Sequence, residues 1–312
     1  MSFAQEVKKE ITTLEASNEE YKAELYGITK LKVSLIISNN ALQMEYVTRN
    51  ISLARRMVFL LKRLYETDVE LMTKEQKKLD YKKLYYVLVK ERAKDILFDL
   101  DIIDENMSFR DEVSTKYDHL KDSVLRGMFL GKGSINDPNK SNYHLEIVCN
   151  YPEEGNYIVD MLKEYGIIAK LLERPKGIVV YIKKGEQIGD FLKVVGTSNM
   201  LFYFENERIK RDLNNVVNRI LNCDMANGDR TQASALRQLE DIKLIEETKG
   251  YAFLSTRLME AVILRTTYPD SSLAELSELS EETIGRNLSK SGISHCLKDL
   301  EIIAASLRKN KK

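Results

Sequence analysis

Short runs of alternating or continuous apolar residues are interleaved with longer runs of helical spacing over the first two thirds of the chain. Residues 33–38 (VSLIIS) and 42–48 (LQMEYVT) predict two strands. Asn39-Asn40 between them suits a tight hairpin turn, because Asn tolerates positive φ. Leu53, Met57, Leu60, Leu61 and Leu64 fall on one face of a helix predicted over 52–65, with Ser52 as its cap. Strands at 68–72 and 83–90 (KLYYVLVK) and a helix carrying Ala93, Ile96, Leu97 and Leu100 complete the series.

The series then starts again. Leu25-Tyr26-Gly27 matches Leu125-Arg126-Gly127, and the strand around Glu45 matches 144–148. The helix ending at Tyr65 matches 154–165. The strand 83–90 matches 178–184, which follows a turn at Pro175-Lys176-Gly177, and the closing helix carries Ile188, Phe191, Leu192 and Val195. Each half reads helix–strand–strand–helix–strand–strand–helix, as expected of a duplication. Two such halves can pack their opening helices together and leave a saddle with a groove. Gly127 and Gly131 would let the helix backbones approach, whereas the first half has Gly27 but Leu31. An asymmetric or looser seam is therefore expected.

The remaining third reads as helical. Residues 205–250 hold many Asn, and Gly228 is expected to break them into two helices, with the Asn residues partnered or near an end. This stretch is either a linker fixing an angle or a carrier of Asn and Arg contacts to phosphate, Arg219 among them. Cys223 is expected to be a small buried residue. Ser255 opens a helix that stops near Tyr268-Pro269, and Asp270-Ser271-Ser272 caps a short helix over 273–279. A turn at Ser280-Glu281-Glu282 leads to Ser289-Lys290-Ser291-Gly292, the start of a third helix with Ile293, Leu297, Leu300, Ile303 and Ala304 inside. Short helix, turn, then a helix opening with small polar residues and Lys is the helix-turn-helix pattern; a plain three-helix bundle with a solvated tail is the alternative.

Composition narrows the class. With 48 Lys plus Arg against 48 Asp plus Glu, no global charge draws the chain to nucleic acid, so local clusters must. From Arg286 onward seven basic residues face two acidic ones, which polarises the last module. At 43% hydrophobic, with 4 Pro and 14 Gly, the chain is neither disordered nor fibrous. Cys149, Cys223 and Cys296, like His119, His144 and His295, are scattered, so neither a disulfide framework nor a metal site is readable. No signal peptide or membrane span is readable either, and a cytosolic protein is expected.

The duplicated part resembles the LAGLIDADG homing endonucleases, with Leu25-Tyr26-Gly27-Ile28-Thr29-Lys30-Leu31-Lys32-Val33 and Leu125-Arg126-Gly127-Met128-Phe129-Leu130-Gly131-Lys132-Gly133 at the signature helices. The resemblance places that family's metal-binding acids at Lys32 and Lys132. Two ammonium groups repel a divalent ion, which removes nuclease chemistry, yet they suit phosphate. They also suit a helix C-terminus as ordinary solvated residues. An active endonuclease would need other carboxylates, such as Asp99, Asp101, Asp104 or Glu105.

With Val217-Asn218-Arg219, Asn222-Cys223-Asp224-Met225-Ala226-Asn227 and Ser289-Lys290-Ser291-Gly292-Ile293-Ser294-His295 added, the whole chain looks like the WhiA family. The resemblance implies an α+β, duplicated LAGLIDADG-like saddle domain (1–200, halves about 1–105 and 115–200), a helical linker (201–250) and an all-α helix-turn-helix domain (251–312). It implies a non-enzymatic, cytoplasmic and nucleoid-associated DNA-binding transcription regulator without cofactor. Its last module is similar to the promoter-reading region of sigma factors. Members are linked to cell division, chromosome segregation and, in some bacteria, sporulation. Double-stranded DNA is the expected partner, with RNA polymerase or another regulator as further candidates. Expected DNA contacts are Arg286, Ser289, Lys290, Ser291, Gly292, Ser294, His295 and Lys298, and candidate phosphate contacts are Lys32, Lys132 and Arg219. Cys296 departs from the family's more usual arginine. A protein-interaction adaptor is the remaining alternative.

Overall fold

A computed structural model describes residues 2–38, 41–75, 83–110, 113–140, 142–175 and 177–310. The chain forms two compact units, Met1–Asp212 and Leu213–Lys312. Asn39-Asn40, Lys176, and Lys311 and Lys312 of the basic tail lie outside the described residues.

In the first unit α1 (Phe3–Ile11) precedes α2 (Asn18–Lys32), β1 (Ser34–Ser38), β2 (Ala41–Thr48), α3 (Ile51–Tyr65), β3 (Glu70–Glu75), β4 (Lys83–Val89) and α4 (Ala93–Asp99). After a short 3-10 helix (Thr115–Leu120) come α5 (Lys121–Lys132), β5 (Gly133–Ile135), β6 (Leu145–Cys149), α6 (Pro152–Glu164), β7 (Lys170–Arg174), β8 (Gly177–Ile182) and α7 (Gly185–Val194). Each half holds one antiparallel four-stranded sheet, ordered β1-β2-β4-β3 and β5-β6-β8-β7. The shared order is the expected duplication. The first helix was not anticipated. A Ser2–Gln5 capping box starts it, and Phe3, Val7 and Ile11 bury one face in the common core. The cap of α3 is Asn50 rather than Ser52: its Oδ1 accepts from the backbone N–H of Ser52 at 2.9 Å and Leu53 at 3.3 Å.

The seam between α2 and α5 corrects the expectation of asymmetry. A Cβ at Gly27 would lie 2.4 Å from the Val124 carbonyl oxygen, and one at Gly127 would lie 2.0 Å from that of Glu24. Both backbones need a bare Cα, so this pair closes the seam reciprocally. At Gly131 the nearest atoms stand 3.6 Å off, so that glycine is not what permits the approach. Glu24, fully buried at the seam, accepts from Arg56 Nε at 2.8 Å and Nη2 at 2.9 Å, and Arg56 Nη1 also donates to the Leu14 carbonyl at 3.0 Å. This pairing answers the cost of taking both charges out of water.

A single helix, α8 (Ser198–Lys249), runs from the first unit into the second. The expected break at Gly228 does not occur. An interior glycine costs a helix only about 1 kcal/mol, and nothing lies within 4 Å of a Cβ built there. Residues 213–230 are exposed throughout, so the Asn residues sit mid-helix in solvent and Cys223 is exposed rather than buried. The second unit continues with α9 (Thr256–Thr267), α10 (Leu273–Glu278), α11 (Ser280–Ile284) and α12 (Lys290–Asn310). The expected turn at 280–282 is the helix α11, which stops at Gly285 with φ +74°. Ile242, Ile245, Val262, Leu264, Leu276, Ile293, Leu297 and Leu300 form its core. Among the described residues no helix is long and apolar enough to cross a membrane.

Candidate nucleic-acid interface

In the second unit α12 buries Ile293, Cys296, Leu297, Leu300, Ala304 and Leu307, a spacing of three and four that turns its other side outward. The Ser289 hydroxyl accepts from the Gly292 N–H at 3.2 Å and caps the first turn. Lys290, Ser291 and His295 are exposed there, with Ser291 and His295 one turn apart. Cys296 is buried, so it packs inside rather than on the outer face. Ser294 and Lys298 line a cleft that also holds Arg237, Gln238, Glu240 and Asp241 of α8, so carboxylates adjoin that edge. Arg286 lies on the loop after Gly285 and is paired with Glu260 of α9. Arg219 stands apart on the exposed run of α8, its Nε donating to the Asn215 carbonyl at 3.3 Å.

Around the start of α12 the structure adds two arginines that the sequence did not single out. Arg230 and Arg265 line a cleft with Ser272 and Lys290. Arg265 is buried and its Nη1 donates to the Ser271 carbonyl at 2.6 Å, which fixes the loop leading into α10.

Lys32 and Lys132 meet in the first unit, at the C-terminal ends of the paired helices. They line a cleft of about 440 Å³ with Lys30, Phe109, Arg110, Asn150, Tyr151 and Glu154. Burial lowers the pKa of Lys32, and the charge of Lys132 lowers it further. Burial also lowers that of Lys132, partly offset by Glu154. Glu154 is itself raised by burial, against bonds from the N–H groups of Asn150 and Tyr151. Lys8 of α1 adds a third ammonium, brought down to about 7 by burial and by Lys32. Only the alignment of the two halves flagged Lys32 and Lys132; Lys8 comes from α1, which precedes the repeat, Arg110 from a loop after α4, and Glu154 from the first turn of α6, where its charge reads as an ordinary helix-start residue. Asp99 is taken up by Lys22, Lys116 and the Tyr65 hydroxyl, and Asp101 by Arg110. Asp104 accepts from the Ser108 N–H.

Three family models cover most of the chain. The WhiA N-terminal LAGLIDADG-like domain matches residues 18–103, the WhiA LAGLIDADG-like domain 121–214, and the WhiA C-terminal HTH domain 217–304. A probable cell division protein WhiA of Lysinibacillus sphaericus is 41% identical over 316 residues, covering 100% of this chain and 99% of its own. Its counterpart from Bacillus cereus is 41% identical over 311 residues, 99% of this chain and 98% of the relative. The crystal structure of full-length WhiA from Thermatoga maritima is similar over 98% of this chain and 99% of its own, with TM-score 0.58 and 26% identity. That of the N-terminal LAGLIDADG domain of WhiA covers 63% of this chain and 91% of its own, with TM-score 0.51 and 25% identity. The expected fold class, a duplicated LAGLIDADG-like unit with a C-terminal helix-turn-helix, is the one observed.

Proposed function

The chain belongs to the WhiA family, and from that premise we propose that it is a cytoplasmic, DNA-binding transcription regulator that reads duplex DNA through the start of α12. The observation that carries this is the exposed group Lys290, Ser291 and His295 at the N-terminus of a long helix whose opposite face is buried. Backbone N–H groups and a cation at such a terminus suit phosphate, and the next turn reaches base edges. The nuclease-like unit keeps a fold without the chemistry, since lysines occupy both positions matched to metal-binding acids. Its regulated processes are cell division, which the relatives' names carry, with chromosome segregation and sporulation as finer assignments. RNA polymerase or another regulator is the protein partner in this reading.

A salt titration on the preferred and on random duplexes tests it. Lys290→Ala weakens binding evenly and lowers the salt slope by roughly one. His295→Ala costs on the order of 1–3 kcal/mol on the preferred site and little on random DNA. Identical behaviour of the two variants sinks the division between positioning and reading residues. The protein leaves plasmid uncut with magnesium or manganese, and metal-dependent cutting abolished by a substitution in the groove overturns that part.

A further inference from the structure

We propose that the cleft at the C-terminal ends of α2 and α5 binds a free nucleoside diphosphate, making the protein responsive to a small ligand. This goes beyond the DNA-binding reading and does not depend on it.

Three observations converge. The first is charge: Lys30, Lys32, Lys132 and Arg110 line the cleft, Glu154 is the one carboxylate among the described lining residues, Arg110 is paired with Asp101, and the charge of Lys8 couples to that of Lys32. The second is the state of Lys32. Among the described residues its ammonium has no hydrogen-bond or ion-pair partner, and the group acting on it is a second ammonium, Lys132. Lys132 itself has only the neutral Asn150 Oδ1 as a hydrogen-bond partner among the described residues. Like charges held half out of water are costly, and an anion between them turns that cost into attraction. The third is the rim. Phe109 is 44% exposed and Tyr151 48% exposed, and both line the same cleft. Exposed aromatic rings beside a basic hollow offer a base a face to stack on while the phosphates reach the lysines.

Size and charge select the ligand. About 440 Å³ lies in the range of small-ligand pockets. Two lining ammonium groups with no carboxylate hydrogen-bond partner among the described residues, Lys32 and Lys132, suit the two phosphates of a diphosphate better than the single one of a monophosphate. A duplex presents its phosphates along an open ridge, whereas these lysines sit inside a concavity and half-buried.

The test is thermal melting of the full chain with ADP, GDP, CDP and UDP at millimolar concentration, followed by calorimetry of whichever binds. At least one diphosphate raises the melting midpoint, and its nucleoside alone does not. Lys32→Gln and Lys132→Gln weaken that binding by roughly tenfold or more, as loss of a charge-assisted contact does. Tyr151→Ala weakens the nucleotide but leaves pyrophosphate unchanged. The unliganded Lys32→Gln variant melts no lower than the parent, since it removes a repulsion, so its lost binding is not lost folding. The proposal falls if no diphosphate shifts the midpoint, if sulfate shifts it equally, or if the variants bind as the parent does. It falls also if they lose only duplex affinity, which would give the lysines to the DNA backbone.

Discussion

The ammonium of Lys8 donates to the Leu130 carbonyl at 3.1 Å and lies 5.5 Å from the centre of the Phe129 ring. Burial, and then the charge of Lys32, bring its pKa from 10.5 down to about 7. The unfolded chain therefore holds this proton more tightly than the folded one, and stability must rise with pH where the two differ. The cost is fully present below about 7 and is relieved as pH climbs toward 10.5. Melting of the first unit should shift upward between pH 7 and pH 10 at constant ionic strength, and Lys8→Met should flatten that slope. A parent slope equal to that of the variant refutes the assignment. The seam glycines make a second residue-scale contrast. Gly127→Ala drives a methyl into the Glu24 carbonyl and should cost at least about 1–3 kcal/mol, as overpacking does. Gly131→Ala meets only ordinary contact and should be neutral or gain up to about 1 kcal/mol of helix propensity. Denaturant midpoints of the two variants decide it. Lys32 and Lys132 were legible because aligned halves bring equivalent residues to one axis. Lys8 was not, because α1 lies outside the repeat and its lysine reads as an ordinary charge until the packing of α1 is known.

At the scale of elements, local chemistry was readable where a cap announces it. Ser272 and Glu275 form a capping box at the start of α10: the Ser272 hydroxyl accepts from the Glu275 N–H at 3.3 Å, and the Glu275 carboxylate accepts from the Ser272 N–H at 2.6 Å. These bonds hold the Glu275 carboxyl below its usual range. Their stabilisation is present at neutral pH and fades as pH falls through that lowered value. With only six residues, α10 cannot persist without its cap and the Leu276 anchor in the core. Ser272→Ala should lower the stability of the second unit by about 1 kcal/mol at pH 7 through the lost hydroxyl cap, while Glu275→Ala should remove the part that fades in acid, because the carboxylate bond is to the Ser272 backbone N–H. Melts of both variants from pH 7 into acid check it, and a Glu275→Ala difference that stays constant across pH would refute the carboxylate's part in the cap. Where no cap marks an end, the sequence misled. Gly228 looked like a break because glycine is a poor helix former, but a modest penalty spread over 52 helical residues does not stop propagation. Residues 280–284 looked like a turn because the helix there is a bare turn and a half, visible only from its Gly285 stop. The duplicated strands, in contrast, showed through twice, so each half corroborated the other.

For the whole molecule the question is where one cooperative unit ends. Its many Asn residues make 201–250 look like a separate linker. The packing of α8 points elsewhere. Phe204 is fully buried in the first core, while Ile242 and Ile245 belong to the second. Asp241, nearly buried, accepts from Arg308 Nη2 at 2.6 Å and so ties α8 to the end of α12. Only 213–230 is exposed on every residue. Composition could not reveal this, because a helix's buried anchors are a few apolar residues among many polar ones. We therefore expect a cut within 213–230 to leave two soluble pieces with cooperative melts. A cut after Thr248 should leave the C-terminal piece without Ile242 and Ile245. Losing one buried Ile costs about 2–5 kcal/mol, against a total stability of about 5–15 kcal/mol, so this piece should not melt cooperatively. Circular dichroism melts and limited proteolysis of the two pairs of fragments make the comparison. Should 249–312 melt as sharply as 231–312, the end of α8 adds nothing to the second core and the boundary returns to position 250. Should 1–212 fail to melt cooperatively while longer fragments do, the exposed run of α8 is part of the first unit's fold.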